Sequence, residues 1–144
     1  MTYVMSDIHG NAERFNDVMG QINFQPEDTL YILGDVVDRY PAGIKIIRWI
    51  MKTPNVHMLL GNHEHMMLES LHYPISHKEI KPWDTEEWVR RDKVLRWYSN
   101  GGDITHDYLK HIKKTIRQEI FEYLDRVPLN IRIEVNGKKY ILTH

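Results

Sequence analysis

Three short polar clusters stand out because each combines residue types that bind cations or transfer protons. They are Asp7-Ile8-His9-Gly10-Asn11, Gly34-Asp35-Val36-Val37-Asp38-Arg39 and Gly61-Asn62-His63-Glu64. Carboxylate and amide oxygens combined with imidazole nitrogens suit manganese, iron or zinc, and not a dedicated calcium cage. The chain has nine histidines and no cysteine, which excludes thiolate metal sites, disulfides and cysteine nucleophiles. The clusters therefore predict a transition-metal site built from oxygen and nitrogen ligands.

The spacing within the clusters indicates how they could hold two cations. Asp7 and His9 are two residues apart, so at the end of an extended strand both side chains can point the same way. Asp35 carries two carboxylate oxygens and can bridge two ions. Asn62 would add a neutral amide oxygen, which limits the negative charge of the site. Two cations about 3.5–4 Å apart can clamp a phosphoryl oxygen and ionise a bridging water.

Three further side chains are better suited to a substrate than to a cation. Arg39 has a planar guanidinium fork that matches phosphate oxygens. His63 directly follows Asn62, so it lies near the cations without having to bind one. Oriented by a carboxylate such as Asp38, it could donate a proton to a leaving alkoxide.

Each cluster follows an apolar run that reads as a strand. The runs are Tyr3–Met5, Leu30–Leu33 and Val56–Leu60, separated by helical periodicity at Phe15–Ile22 and Ile44–Met51. Near-continuous apolar strands that alternate with helices predict an α/β fold with a parallel sheet covered on both faces. Ligands bind such sheets at the carboxyl ends of the strands, where all three clusters lie. On this interpretation His57, within the third strand, faces the core.

The second half of the chain is predominantly helical and ends in a hairpin. A helix containing Trp97 stops at Asn100-Gly101-Gly102, which is either a simple helix end or a loop near the phosphate. Apolar residues recur at helical spacing from Ile112 to Val127. Alternation over Leu129–Val135 followed by Asn136-Gly137 predicts a hairpin. We expect its return strand, Tyr140–Leu142, to join the parallel sheet.

Two smaller expectations concern tryptophan residues. Trp97 is expected to fill the core and not to contact a ligand. Residues 72–84 contain Pro74 and Pro82 and are predicted to form a loop, in which Trp83 is a candidate for substrate contact.

In this order and spacing, the three clusters resemble the signature of the calcineurin-like metallophosphoesterases, over essentially the whole chain. Gly-Asp-x-x-Asp-Arg with Gly-Asn-His-Glu is typical of the phosphoprotein phosphatase branch, and Trp97–Asp103 and Tyr140–His144 resemble its bacterial and lambda-phage type. The resemblance implies a single domain over residues 1–144 with a βαβαβ core. It also implies hydrolysis of phosphomonoesters, in particular phosphoserine or phosphothreonine in proteins, by attack of a metal-bridging hydroxide.

The resemblance further implies a set of ligands for two divalent or trivalent metal ions. Asp7, His9 and Asp35 would hold the first ion, and Asp35, Asn62 and His144 would hold the second. Manganese, iron and zinc all remain open as the metals.

Substrate contacts follow from the same resemblance. Arg39 and Asn62 would bind the phosphate, and His63 with Asp38 would form the proton-donating pair. The family usually has glycine after the equivalent of Arg39, whereas this chain has Tyr40, whose bulk could alter the substrate mouth.

Proteins of this family continue past the equivalent of His144 with a further Gly-His motif and much of a second sheet. We therefore expect that second sheet to be largely missing, the second metal to be weakly held, and one exposed sheet face to favour self-association. Two alternatives remain open. One is a dinucleoside-tetraphosphate hydrolase, although that branch usually has Ala and Asp at the positions of Asp38 and Glu64. The other is an inactive, truncated domain that binds a metal or a partner chain.

Composition narrows the range of partners. The net charge is -1, so no strong electrostatic field favours nucleic acid or an anionic membrane. The first residues lack the basic flank and apolar run of a signal peptide, and no apolar stretch approaches the roughly 20 residues that span a bilayer. We expect a cytoplasmic protein that acts on a phosphorylated protein or a small phosphoester and binds neither nucleic acid nor membrane.

Overall fold

The computed structural model describes residues 1–71 and 86–144, and within residues 86–90 it describes the helical backbone. The predicted loop over residues 72–84 and Trp83 lie outside the described residues. The elements are, in chain order, β1 (Thr2–Met5), α1 (Ala12–Ile22), β2 (Thr29–Ile32), α2 (Gly43–Ile50), β3 (Val56–Met58), α3 (Asn62–Leu71), α4 (Glu86–Ser99), α5 (Asp103–Lys110), α6 (Lys114–Leu124), β4 (Asn130–Val135) and β5 (Lys138–Thr143).

The first three strands form one parallel sheet in the order β1-β2-β3, which confirms the predicted βαβαβ core. Tyr3 pairs with Leu30, and Leu30 pairs with Val56 across the sheet. Because the strands are parallel and in register, their carboxyl ends meet at one edge. The three polar clusters are therefore brought together, as expected.

The two faces of this sheet differ in burial. Leu30, Ile32 and Val56 lie on the face that is packed into the core. In-register Val4, Tyr31 and His57 lie on the other face, where Val4 is 49% exposed, His57 is exposed and the Tyr31 and His57 rings are 5.2 Å apart. The exposed face agrees with the expectation, drawn from the missing second sheet, that one face of the parallel sheet lacks cover. The predictions from the strand pattern that both faces are covered and that His57 is a core residue are wrong for the described residues. The alternation of side chains along a strand shows which residues share a face, but it does not show whether another element covers that face.

The hairpin forms as predicted, but it is separate from the parallel sheet. Strands β4 and β5 are antiparallel and are joined by Asn136 and Gly137, whose φ angles are 52° and 74°. The prediction that the return strand joins the parallel sheet is wrong, because β5 pairs with β4 in a two-stranded sheet of its own. The chain entering the hairpin still approaches β3, since the Leu60 N–H donates to the carbonyl of Pro128 at 3.0 Å.

The core lies between the buried sheet face and the helices. Ile47 on α2, Trp97 on α4, and Ile120 and Leu124 on α6 are each completely buried. The periodicity of residues 112–127 predicted α6 correctly, whereas the short helix α5 after the glycine pair was not predicted. Among the described residues, no helix has both the length and the apolar character needed to cross a membrane.

Candidate metal centre

The loops that carry the polar clusters adopt an unusual backbone conformation. Among the described residues, the non-glycine residues with positive φ are Asp7, His9, Asn23, Asp35, Asp38, Arg39 and Asn136. The two asparagines lie at a helix end and a hairpin turn, where this conformation is common. The other five lie in the clusters and are strained by roughly 1–3 kcal/mol each. Strain of this kind is typical of functional sites.

Two glycines allow the second and third clusters to approach each other. A Cβ on Gly61 would lie 2.4 Å from both the backbone nitrogen and the Oδ1 atom of Asp35. A Cβ on Gly34 would lie 2.5 Å from the backbone of Gly61. These contacts are too close for any side chain, so the position of Asp35 between the two loops requires glycine at both places.

The His9 ring is held with one nitrogen facing two carboxylates. His9 Nδ1 is 3.0 Å from the carbonyl oxygen of Val37, and because a carbonyl only accepts, this nitrogen carries the proton. Nε2, the other ring nitrogen, lies 3.8 Å from Asp7 Oδ1 and 3.9 Å from Asp35 Oδ2. A backbone carbonyl that fixes one nitrogen of a histidine is the usual support for a metal ligand.

The His144 ring is held in the same way from the end of β5. Its Nδ1 donates to the carbonyl oxygen of Leu33 at 2.6 Å, and its Nε2 lies 2.7 Å from Asn62 Oδ1 and 3.5 Å from Asp35 Oδ1. Asn62 Oδ1 therefore faces only acceptors, unless the amide is turned so that its NH2 group donates to the same atoms. A cation among these atoms would satisfy all of them, so the donor set fits a metal ion.

His63 lies beside this donor set. Ligand atoms of His9, Asp35 and His63, all buried, lie within 4.8 Å of one another. The backbone N–H of His63 donates to Asp35 Oδ1 at 3.1 Å, and the rings of His9 and His63 are 4.6 Å apart. Any ion held by Asp35 would therefore be a close neighbour of the His63 ring.

His63 and Asp38 form a buried pair. Nδ1 of His63 donates to Asp38 Oδ2 at 2.7 Å, and Asp38 is completely buried. The hydrogen bond to Asp38 raises the pKa of the His63 imidazole above its usual range; burial acts against this, and the charge of Asp35 adds to it. With Nδ1 engaged, Nε2 is the ring nitrogen that is left to face a substrate.

Two residues that hold Asp38 were not predicted from the sequence. The indole Nε1–H of Trp97 donates to both Asp38 oxygens, at 2.9 and 3.1 Å. The Thr105 hydroxyl donates to Asp38 Oδ1 at 2.8 Å and accepts from the Asp38 N–H at 2.9 Å. Trp97 belongs to a motif noticed in the sequence but was expected only to fill the core, which it also does. No signal in the sequence pointed to Thr105.

Glu64 was also overlooked, although it closes the third cluster. Its carboxylate, fully buried, accepts four backbone N–H groups at 2.7–3.1 Å, from Asp35, Val36, Val37 and Gly61. Burial raises the pKa of the Glu64 carboxyl, and the backbone donors act in the opposite direction. Glu64 thereby connects the two loops that carry Asp35 and Asn62.

Arg39 and Tyr40 lie on an open cleft beside the candidate metal ligands. The cleft has a volume of about 480 Å³ and is also lined by Asp7 and His9, and Tyr40 is 50% exposed at its wall. The backbone N–H of Arg39 donates to the carbonyl of Gly101 at 3.0 Å. The Asn100-Gly101-Gly102 segment therefore ends α4, as one of its two interpretations expected, and it also contacts Arg39; its position near a phosphate stays a prediction.

The sequence matches a family model described as calcineurin-like phosphoesterase over residues 2–143. The chain belongs to the calcineurin-like phosphoesterase family. This agrees with the resemblance seen in the three clusters and with the parallel core that brings them together.

Curated relatives of this calcineurin-like phosphoesterase include the symmetrical bis(5'-nucleosyl)-tetraphosphatase of Yersinia pestis (strain Pestoides F). The two are 35% identical over 108 residues, which cover 66% of this chain and 37% of the relative. The chain thus matches little more than a third of the length of that relative.

Solved structures give the same fold. A metallophosphoesterase from Sphaerobacter thermophilus aligns with a TM-score of 0.52 and 20% identity, covering 92% of this chain and 43% of the other. A hypothetical protein from Pyrococcus horikoshii OT3 aligns with a TM-score of 0.51 and 20% identity, covering 98% and 54%. At these identities the likeness concerns the fold alone.

Proposed function

We propose that this calcineurin-like phosphoesterase uses two transition-metal ions to hydrolyse phosphomonoesters, in particular phosphoserine or phosphothreonine in proteins. The observation that carries the proposal is the buried His63–Asp38 pair, 2.7 Å between Nδ1 and Oδ2, beside a converging set of metal-type ligands. Neither feature by itself would be enough. A donor set without the pair could simply store a cation, and a pair without the donor set could simply stabilise the core.

The proposed ligands are those that converge at the edge of the sheet. Asp7, His9 and Asp35 hold one ion, and Asp35, Asn62 and His144 hold the other. When bound, such ions stabilise charge on the phosphoryl oxygens and lower the pKa of water. The donor set of two imidazoles, two carboxylates and one amide fits manganese, iron or zinc.

The remaining roles belong to side chains that contact the substrate. Arg39 binds phosphate oxygens through its guanidinium group from the wall of the cleft. His63 Nε2 gives a proton to the leaving oxygen, and the Asp38 carboxylate stabilises the positive imidazolium before that transfer. Asp38 accepts hydrogen bonds from three other side chains, which hold its carboxylate in place against the His63 ring.

The proton donor favours an alcohol as the leaving group. An alkoxide leaving from phosphoserine is strongly basic and must be protonated as it departs, which is the task of a general acid. A nucleoside diphosphate leaves as a stable anion and gains little from a proton. The His63–Asp38 pair therefore supports phosphomonoester hydrolysis over cleavage of a dinucleoside polyphosphate.

The second candidate is hydrolysis of a dinucleoside tetraphosphate. It is favoured by the 35% identity to the Yersinia bis(5'-nucleosyl)-tetraphosphatase. The residues Asp38 and Glu64 argue against it, because the resemblance described above places Ala and Asp there in that branch.

One experiment separates the two candidates. Manganese-loaded protein is assayed on a phosphoserine peptide and on diadenosine tetraphosphate, with Asp35→Asn as the inactive control. We expect a higher kcat/KM for the peptide, and we expect His63→Asn to lower peptide turnover by roughly 10²–10⁴-fold with unchanged metal content. Preferred cleavage of the tetraphosphate, unaffected by His63→Asn, would establish the second candidate. Loss of metal in His63→Asn would make His63 a ligand.

A further inference from the structure

Asp38 and Arg39 are adjacent, and both are held in the left-handed region, with φ angles of 74° and 69°. Among the described residues they are the only neighbouring non-glycine pair in that region. Each such residue costs roughly 1–3 kcal/mol, and the strain persists only where the surroundings impose the conformation. The pair that would orient the proton donor His63 and bind the phosphate therefore needs a support.

That support comes from one stretch of chain about 60 residues further along. The Asp38 N–H donates to the Thr105 hydroxyl at 2.9 Å, and the Arg39 N–H donates to the Gly101 carbonyl at 3.0 Å. Both backbone donors of the strained pair are thus bound by residues 97–105. A Cβ on Gly101 would lie 3.0 Å from both Arg39 N and Arg39 Cγ, so the contact is close enough to favour glycine.

The same stretch also fixes the carboxylate. Trp97 Nε1 lies 2.9 Å and 3.1 Å from the two Asp38 oxygens, and the Thr105 hydroxyl lies 2.8 Å from one of them. Trp97 is completely buried and Thr105 is 3% exposed, so water does not compete for these bonds. A buried carboxylate with three side-chain donors has a single orientation, and here that orientation places Oδ2 against His63.

We propose that Trp97 and Thr105 are positioning residues for the chemical step: through Asp38 they set the orientation of the His63 imidazole that protonates the leaving group. The proposal rests on the proposed function and deepens it, because it names the residues on which the proton transfer depends. We call residues 97–105 the Asp38 brace. Neither residue touches the substrate in this scheme.

A purely structural role for these residues predicts a different outcome. Trp97 packs against Tyr98 and His106, with ring centroids 5.9 and 5.6 Å apart, so its loss could affect only the core. Trp97→Phe keeps a buried ring and removes the Nε1–H donor. Thr105→Val keeps the shape and removes the hydroxyl, and Thr105→Ser restores the hydroxyl.

The chain contains matched controls outside the brace. Thr53 also uses its hydroxyl, which donates to the carbonyl of Trp49 at 2.7 Å, and Trp49 packs against Phe15 with ring centroids 5.4 Å apart. Thr53→Val and Trp49→Phe therefore remove the same atoms from residues that make none of the hydrogen bonds to Asp38 described above.

The first measurement compares leaving groups in the metal-loaded protein. For the phosphoserine peptide, Thr105→Val and Trp97→Phe should lower kcat by roughly 10–100-fold, a part of the contribution of a general acid, with KM nearly unchanged. For p-nitrophenyl phosphate, whose leaving group needs no proton, the loss should stay within about threefold. Thr105→Ser should recover most of the peptide activity. Equal losses on both substrates would overturn the proposal.

The second measurement does not depend on turnover. In zinc-loaded protein the His63 Nδ1 proton, hydrogen-bonded to Asp38, should give a low-field proton resonance. It should move upfield or vanish in Thr105→Val and Trp97→Phe and stay in place in Thr53→Val and Trp49→Phe. An unchanged resonance in folded brace variants would refute the proposal even if the enzyme is active. A wild-type protein without hydrolase activity would refute the proposed function. The resonance would still show whether Trp97 and Thr105 position His63 through Asp38.

Discussion

His9 and His144 each place an imidazole ring at the site, but from two very different regions of the molecule. In both, a backbone carbonyl fixes Nδ1, that of Val37 or that of Leu33. In both, Nε2 faces Asp35, at 3.9 Å from Oδ2 for His9 and at 3.5 Å from Oδ1 for His144. The His9 side chain is only 8% exposed, whereas that of His144 is 26% exposed. The Nε2 atoms of the two histidines therefore face different oxygens of the same Asp35 carboxylate.

The supports of the two histidines differ much more than their immediate contacts. His9 follows a strand of the parallel core, and its N–H donates to the Asp35 carbonyl at 2.9 Å. His144 ends a separate two-stranded hairpin on which Tyr140 and Ile141 are 45% and 64% exposed. Two-stranded sheets are marginally stable without further packing. We therefore expect the first ion to be bound by a rigid region, and the second to depend on whether the hairpin is docked.

Removal of the shared carboxylate should have the largest effect. Asp35→Asn replaces one of the two carboxylate oxygens with an NH2 group, so only one oxygen would remain for the two ions that Asp35 is proposed to share. We expect loss of both bound metal equivalents by elemental analysis, and loss of all detectable hydrolysis. Asp28→Asn, which alters a carboxylate that contacts the N-terminal ammonium at 2.6 Å and the Gln25 N–H at 2.9 Å and none of the candidate ligands, should keep both. Retention of one ion in Asp35→Asn would mean that the two sites do not share this residue.

The next largest effect should separate the two histidines. His144→Gln should reduce the metal content from two equivalents to one and weaken the second site by at least about 100-fold, since even residues behind the ligands cost 10–100-fold in affinity. His9→Gln should remove the first ion and also weaken the second, because Asp35 would lose its partner on one side. Metal titrations of both variants check this order. Identical titration curves for the two variants would show that the parallel core and the hairpin contribute equally to metal binding.

The parts of this fold that could be predicted from the sequence are those with a local cause. The strand-end clusters follow from apolar runs that stop at polar residues, and the hairpin follows from Asn136-Gly137, which favours the left-handed turn. The convergence of Asp7, Asp35 and Asn62 then follows from parallel strands, because their carboxyl ends share one edge.

The parts that were missed depend on contacts between distant segments. Trp97 and Thr105 bind Asp38 across 59 and 67 residues of chain, and no periodicity reports such a contact. The exposure of His57 depends on which face of the sheet is covered, and this is decided by other elements. The separation of the hairpin from the parallel sheet is likewise a matter of packing and not of strand propensity.

A weaker hairpin should affect the second ion alone. Gly137 has φ 74° and open space around its Cβ position, so Gly137→Ala costs only backbone strain, about 1–2 kcal/mol. We expect the affinity for the second ion to fall by roughly fivefold to thirtyfold and that for the first to remain, measured by calorimetric titration.

Gly20 supplies the control for this prediction. It lies within α1, also has open space, and Gly20→Ala should stabilise the protein by roughly 0.5–1 kcal/mol without altering either affinity. If Gly137→Ala weakened both ions alike, the hairpin would not be a separate support.

The smallest expected effect lies in the helical region and involves none of the three histidines of the site. Burial, with Lys110 and Arg117 nearby, lowers the pKa of His106, and Asp107 acts weakly in the opposite direction. The unfolded chain therefore binds a proton first as the pH falls below about 6.5. The contribution of the neutral, buried His106 to the free energy of unfolding is therefore fully present above that pH, and it is lost as the pH falls below it.

Urea unfolding of metal-free protein at pH 7.5 and pH 5.5 tests this response. We expect His106→Asn to lose less stability between the two pH values than wild type, and His57→Asn, at an exposed position, to behave as wild type. An unaltered pH dependence in His106→Asn would assign the loss to groups elsewhere, including those of the candidate metal centre.

The Glu64 carboxylate has a consequence for how the loops open. It accepts hydrogen bonds from Asp35, Val36, Val37 and Gly61, which belong to two different strand ends. Because the carboxylate is completely buried, exposing any one of these four amides to solvent should require Glu64 to move. That movement would break the other three hydrogen bonds as well. Their amide protons should therefore exchange with deuterium at one common rate, as a single cooperative unit that spans two loops.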